Sequence, residues 1–417
     1  MINLYIFNES SRAAVYGIGT YIRELIIALK DSDIQINIIH LHSEKPVVEL
    51  TEVDGVCHLH IPSPKNSNLS IIRKRQNDLY YRTVVYLLRL KIKNSGKLIF
   101  HLNFNISGKL ADGLKKAFDC KIIAAMHCLE WCLILNGNVT QFRKIISNQV
   151  NENNDESINF VNELYLKEKN CFSLVDHIIC LSENTQQILL DDYHIESNKL
   201  HVIYNGLSDC YAATAKNILR KKNHIQPDMY NIIFAGRLDD IKGLRYLLRA
   251  YQLVLKKQPL CHLIIVGNGS FDIYMKECED IWMHVTWTGL ISKDKLYELY
   301  SIADIGVMPS FHEQCSYVAI EMMMHGVPLI ASTSTGLKEM VEDRVTGLHI
   351  PVIEHPDRVE IDSTLLAEKM LYLLEHSKAR NRIGANARKR YETVYSAEIF
   401  RQNMLDYYRS LFHSTKQ

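Results

Sequence analysis

A chain of 417 residues is too long for one ordinary core and fits two domains of roughly 200 residues each. With 47% hydrophobic and 23% charged residues it reads as globular rather than disordered, and a net charge of +1 excludes a surface built wholesale for nucleic acid. Any attraction to phosphate must be local. The opening MINLYIF carries no basic segment and passes at once into polar residues, so no signal peptide is expected, and no apolar run nears the ~20 residues of a membrane span. Ten scattered cysteines fit reduced, mostly buried thiols in the cytoplasm.

In chain order, strand-like and helix-like runs alternate. The first half reads as strand 2–7, helix 18–30, strands 34–41 and 56–61, a long helix over 70–93, strand 98–102, helix 108–118 and strand 121–126. After a polar, helix-rich insertion at 135–172, broken near Asn151 to Glu156, come strand 177–181, helix 183–193 and strand 201–204. Short apolar runs between helices of ten or more residues predict a parallel sheet covered on both faces.

Gly17 and Gly19 follow the first strand and lead into a helix, where glycine lets backbone approach a ligand and the helix start offers N–H groups to an anion. A simple tight turn accounts for them equally well. His127 ends the strand Lys121–Met126, as a core histidine or as a site residue; with Cys128 and Cys132 it lacks a second ligand pair, so no metal is expected. The long helix is basic, with Lys65, Arg73, Lys74, Arg75, Arg82, Arg89, Lys91, Lys93 and Lys97 against Asp78 alone. It fits either peripheral contact with anionic lipid or a solvated face partly neutralised by Asp78.

The second half begins after Asn205-Gly206 and a polar linker at 208–228. The strand Tyr230–Ala235 runs into Gly236-Arg237-Leu238-Asp239-Asp240-Ile241-Lys242-Gly243 and then a helix. Two cations at a strand end, where a helix dipole also favours negative charge, suit a diphosphate, and an ordinary βα loop is the plainer reading. Strand 262–266 is followed by Gly267 and Gly269, strand 284–287 by Gly289, and then comes a helix over 293–302. Next is IGVMPSFHEQCSYVAIEMMMHGVPLIASTSTG, residues 305–336: a strand, a loop after Pro309, a helix near 317–325 and a second strand. Glu313 lies on that loop and Glu321 inside the helix, so both face the mouth of the sheet. Their separation alone proves little, because Glu44 with Glu52 and Glu360 with Glu368 share it. After Gly347 only helices are expected, the last near 397–412.

In its strand-loop-helix-strand setting the pair of glutamates resembles the E-x7-E signature of retaining glycosyltransferases of the GT-B fold, family 4. GIGTYIREL, residues 17–25, resembles that family's glycine-rich opening, and Gly236 to Gly243 resembles its G-R-L-x-x-x-K-G motif. The resemblance implies an α/β chain of two Rossmann-like, doubly wound domains facing across a cleft: an acceptor domain at 1–207, a nucleotide-sugar domain at 229–395, and a terminal helix at 396–417 crossing back to the first. It implies a metal-independent hexosyl transfer from a UDP- or GDP-sugar to a glycan, lipid-linked or peptide acceptor, with no cofactor. The nucleotide sugar would be held by Gly17, Gly19, Gly236, Arg237, Lys242, Gly267, Gly269, Leu290, Glu313, Cys315, Ser316, Tyr317 and Glu321. His127, Glu313, Arg237 and Lys242 would serve catalysis. One departure stands out: Glu313-Gln314-Cys315-Ser316-Tyr317 replaces the family's E-G-F-G-L, and Ser316 stands where a glycine amide would meet the donor phosphate. A nucleotide-sugar epimerase of the same fold and a binding homologue with a weakened site are the rival readings.

Overall fold

The computed structural model describes residues 1–9, 17–64, 70–92, 96–103, 108–147, 156–211, 216–222, 226 and 228–412. The chain forms two compact units, Met1–Glu130 with Glu152–Tyr204 and Phe400–Gln417, and Trp131–Asn151 with Asn205–Ile399. No helix among the described residues is long and apolar enough to cross a membrane.

The first unit is built on eight strands: β1 (Ile2–Glu9), β2 (Ile34–Ser43), β3 (Glu49–Val53), β4 (Val56–Pro62), β5 (Lys97–Leu102), β6 (Lys121–Met126), β7 (His177–Cys180) and β8 (Leu200–Val202). Their order is β3-β4-β2-β1-β5-β6-β7-β8, parallel throughout except that β3 runs antiparallel to β4. The central strands β5 and β6 are buried at all but their first residues, as apolar runs covered on both faces must be. The strand order reverses between β1 and β5, which makes the carboxyl ends of these two strands the switch point of the sheet. The helix Ala397–Ser410 reaches this unit from Phe400 onward: Tyr408 packs fully buried with its hydroxyl 2.7 Å from His101 Nδ1, and Arg409 meets Asp33 at 2.7 Å. Within the basic helix Ser70–Lys91, the side chain of Asp78 pairs with Lys109 of another helix, and Arg82 and Arg89 are exposed. The side chains of Arg73, Lys74 and Arg75, and residues Lys65 and Lys93, lie outside the described residues.

The second unit carries β9 (Tyr230–Ala235), β10 (Cys261–Val266), β11 (Val285–Gly289), β12 (Ile305–Met308), β13 (Leu329–Ser332) and β14 (Gly347–Ile350). All are parallel, in the order β11-β10-β9-β12-β13-β14, a doubly wound arrangement with its switch point between β9 and β12. Gly306 in β12 lets the helix Tyr317–Met324 settle onto the sheet, since a Cβ there would lie 2.5 Å from Met322 Sδ. The expectation of helices alone after Gly347 is corrected: Gly347–Ile350 is the edge strand, and Val352–Glu354 pairs antiparallel with Val359–Ile361.

The expected insertion at 135–172 divides between the units. Trp131 stacks on Phe142 at 4.0 Å, and Asn138 donates to the carbonyls of His355 (2.7 Å) and Arg358 (3.2 Å), which binds 131–147 to the second unit. The helix Glu156–Leu174 packs in the first; of the expected break at Asn151 to Glu156, residues 151–155 lie outside the described residues and Glu156 opens the helix. The linker is more than a polar spacer. Its helix Lys216–Lys222 buries Leu219 and sets Lys216 and Arg220 on the buried Asp304 at 2.8 and 2.7 Å.

Candidate active site

The two loops at the switch point of the second sheet, 236–243 after β9 and 309–316 after β12, are tied together. Phe311 N–H donates to the Ile241 carbonyl at 2.8 Å, and Gly243, at φ +67°, sits where a Cβ would fall 2.0 Å from the Pro309 carbonyl oxygen. Only glycine accepts both that conformation and that approach. The neighbouring strand ends are layered in the same way: Gly236 N–H donates to Val266, Leu238 to Asn268 and Gly267 to Gly289, and a Cβ on Gly267 would lie 1.7 Å from the Gly236 carbonyl oxygen. Gly236, Gly267 and Gly269 therefore share one sheet edge with bare backbone.

On this edge Lys242 Nζ donates to Glu313 Oε1 at 2.5 Å, and Ser310 Oγ donates to the same oxygen at 3.1 Å. Both charged side chains are largely buried, at 17% and 13% exposure. The backbone of Glu313 is clamped from the start of the helix Thr335–Met340: its N–H donates to Thr335 Oγ1 at 3.0 Å, the Thr335 hydroxyl donates back to its carbonyl, and Gly336 N–H donates there at 2.8 Å. Arg237 is half-exposed and meets Asp239 at 3.2 Å, while burial raises the Asp239 carboxyl against the pull of Arg237 and Lys242. A buried cation and a half-exposed one thus stand on one loop.

Glu321 is fully buried in the helix Tyr317–Met324. Its carboxylate accepts from Lys293, the first residue of the helix Lys293–Ile302, and from Tyr300 Oη at 3.3 Å. Burial and the Glu321 charge push the Tyr300 phenol well above its usual range, so the hydroxyl stays a donor. Lys293 and Tyr300 are partners that the sequence reading missed. Lys293 had a signal: like Lys242, it follows a strand-end glycine and stands at the start of a helix. Leu290 is exposed beyond β11.

In the altered loop, Cys315 and Tyr317 point inward. Asn205 N–H donates to Cys315 Sγ at 3.4 Å and Asn205 Nδ2 to its carbonyl at 2.6 Å, and burial pushes the thiol up to about 12. Both side chains are buried, Cys315 at 6% and Tyr317 at 8% exposure. Ser316 adopts φ −72°, ordinary for any residue, so the position makes no demand for glycine and the serine costs no strain.

In the first unit, Gly17 opens the helix Gly17–Leu29 with Gly19 in its first turn; Tyr16 and the loop before it lie outside the described residues. His127 follows β6. Its Nε2 lies 3.2 Å from Asn103 Oδ1, its ring stands edge-on to Tyr21 at 4.8 Å, and burial together with His101 pulls its pKa down to about 3. Both effects favour the neutral ring. Among the described residues no group of three or more His, Cys, Asp or Glu is placed to hold a metal ion.

Residues 215–390 match the family model for glycosyl transferases group 1, and residues 15–209 match that for Glycosyltransferase Family 4. An uncharacterised glycosyltransferase of Methanocaldococcus jannaschii is 30% identical over 190 residues, covering 44% of this chain and 48% of that protein. The chain spans about half the length of such curated relatives. Among solved structures, sucrose-phosphate synthase from Thermosynechococcus elongatus superposes over 100% of both chains with a TM-score of 0.77 at 20% identity. HepE of Anabaena, in complex with UDP-glucose, covers 98% of this chain and 100% of its own with a TM-score of 0.67 at 14% identity. These are likenesses of fold, and they agree with two doubly wound parallel sheets in the GT-B manner. With one model matching each half, the chain belongs to the glycosyltransferases of group 1 and family 4.

Proposed function

We propose that the chain transfers a hexosyl group from a UDP- or GDP-sugar to a glycan, lipid-linked or peptide acceptor, keeping the anomeric configuration and using no divalent metal. The observation that carries this reading is the Lys242–Glu313 pair held at the switch point of the second sheet, with Arg237 on the same loop. As the bond from the anomeric carbon to the diphosphate oxygen breaks, negative charge gathers on the leaving phosphate. Arg237 and Lys242 stabilise that charge as it forms, which is where electrostatic catalysis gains most. Glu313 accepts from hydroxyls of the donor sugar, and Glu321 accepts from the ribose once the half-exposed Lys293 swings away. The acceptor hydroxyl attacks from the face the leaving group occupies, and a phosphate oxygen takes its proton. The UDP-glucose held by the Anabaena neighbour supports the donor class.

A lipid-linked acceptor suits the helix Ser70–Lys91, where exposed Arg82 and Arg89 alternate with Leu79, Tyr86 and Leu90. Such a face adsorbs to anionic lipid through both charge and apolar burial. Flotation with anionic but not neutral vesicles checks it, and equal recovery from both removes the membrane from the reading.

The activity is tested by incubation with UDP- and GDP-sugars in excess EDTA, with and without acceptor extracts, and by proton NMR of the product linkage. Transfer that needs Mn²⁺, or a product of inverted configuration, overturns the mechanism. Donor isomerised without acceptor assigns an epimerase instead, and tight donor binding without turnover assigns a binding protein.

A further inference from the structure

Asn103 is the first residue past β5, at the switch point of the first sheet, and its side chain is fully buried. Its Nδ2 donates to the Phe7 carbonyl of β1 at 3.1 Å. That contact fixes which way the amide faces, because the flipped amide would set its oxygen against a carbonyl oxygen. Oδ1 is therefore the atom 3.2 Å from His127 Nε2, and an amide oxygen can only accept. The hydrogen must sit on Nε2.

With the imidazole neutral, Nδ1 is then left bare, with a lone pair and no proton. Tyr21 fixes the ring edge-on, and behind it His101 packs beside Asn103 and meets the Tyr408 hydroxyl at 2.7 Å. The plainer account is a core histidine satisfied by one hydrogen bond. Against it, one buried amide, anchored to one strand and placed after another, specifies a single tautomer, and no described residue hydrogen-bonds the second nitrogen.

We propose that Asn103 is a positioning residue that holds His127 as the Nε2–H tautomer, so that Nδ1 presents an acceptor to a hydroxyl of a sugar substrate. The role toward substrate rests on the glycosyl-transfer reading above; the tautomer does not. His127 in this state cannot act as a general acid, and a ligand group without a donatable hydrogen gains nothing from it.

The test has a spectroscopic and a kinetic arm. Long-range ¹H–¹⁵N spectra of histidine-labelled protein at neutral pH, with His127 assigned by its loss in H127N, should show a proton on Nε2 and a bare Nδ1. A proton on Nδ1 overturns the proposal whatever the enzyme transfers. In Asn103→Leu the ring should populate both tautomers, and kcat/KM should fall about tenfold or more, the worth of one buried hydrogen bond. Asn103→Asp keeps an acceptor and should restore the Nε2–H form. Its carboxylate also stabilises the imidazolium, which has no acceptor, so the acid limb of the pH–rate profile should move to higher pH. A merely structural amide predicts no such movement. If Asn103→Leu fails to fold, the wild-type spectrum and the Asn103→Asp profile still decide. An unmoved profile, or unchanged tautomer and rate in Asn103→Leu, overturns the proposal.

Discussion

Glu321 offers the sharpest test of the donor site, because its stability role and its binding role can be pulled apart. The carboxylate is fully buried, with Lys293 on one oxygen and Tyr300 Oη on the other. Glu321→Ala removes both acceptors. Lys293, half-exposed, can turn to water, but the Tyr300 hydroxyl is sealed in and loses its partner, at a cost of about 1–3 kcal/mol. At roughly 2–4 °C per kcal/mol for a domain of this size, Tm should fall by about 2–12 °C. Glu321→Gln keeps the volume and an acceptor for Tyr300, so its Tm should stay near the parent. Donor binding should follow a different order. A hydrogen bond to a charged group is worth about 1.5–3 kcal/mol against about 0.5–1.5 for a neutral one, so Gln should weaken nucleotide binding roughly fivefold and Ala at least tenfold. Calorimetry with UDP and GDP reads the affinities, and thermal denaturation reads the folds. Equal nucleotide affinity in all three proteins would refute the ribose role, and a Tm loss shared by Gln and Ala would refute the account of Tyr300.

Further predictions concern the cation loop and the buried ionisable groups. Lys242→Ala should lower kcat as well as raise KM, because its help grows as the bond to phosphate breaks; a change in KM alone makes it a binding feature. His101 and His127 have folded pKa values depressed by burial to about 3, so from pH 6.5 downward the unfolded chain binds more protons. Stability should fall steadily as pH drops from 6.5 toward 3, and urea midpoints across that range, flatter in His127→Gln, would show it. Glu168 works in the opposite sense: burial raises its carboxyl to about 7 against hydrogen bonds from Tyr193 and the Glu130 N–H, so the folded state holds the extra proton between pH 4.5 and 7. Its contribution should be lost as pH rises through 7, and Glu168→Gln, which mimics the protonated acid, should remove that loss.

Much of the second unit was legible because its signals are local. Buried parallel strands read as continuous apolar runs, and the close approach at Gly243 demands glycine at one position of the chain. The pairing of Lys242 with Glu313 was not legible, since it joins residues 71 positions apart through two loops that only the sheet order makes neighbours. Glu321 illustrates the same limit: its place on the helix could be read, but the Lys293 and Tyr300 that bury its charge come from the preceding helix. The edge strand β3 was missed for another reason. Its residues Glu49 to Val53 are short and mostly polar, as an exposed edge permits, although Asp54-Gly55, both at positive φ, was a hairpin signal in plain view. Strand β14 was hidden because Gly347-Leu348-His349-Ile350 is not a continuous apolar run like that of β12. The splitting of the insertion could not be read at all, because helical pattern says which face is apolar and not which core it joins.

The contact between Tyr408 and His101 spans 307 residues, yet it closes the interior of the first unit. At about 5–20 residues per second of synthesis, roughly 15 to 60 s separate the emergence of the two partners. During that interval the sheet around β5 lacks the helix that covers His101, while the whole second unit is being made. The unit synthesised first is therefore finished last, and a chain stalled or cut before Phe400 should be a client for chaperones and proteases even with every other strand in hand.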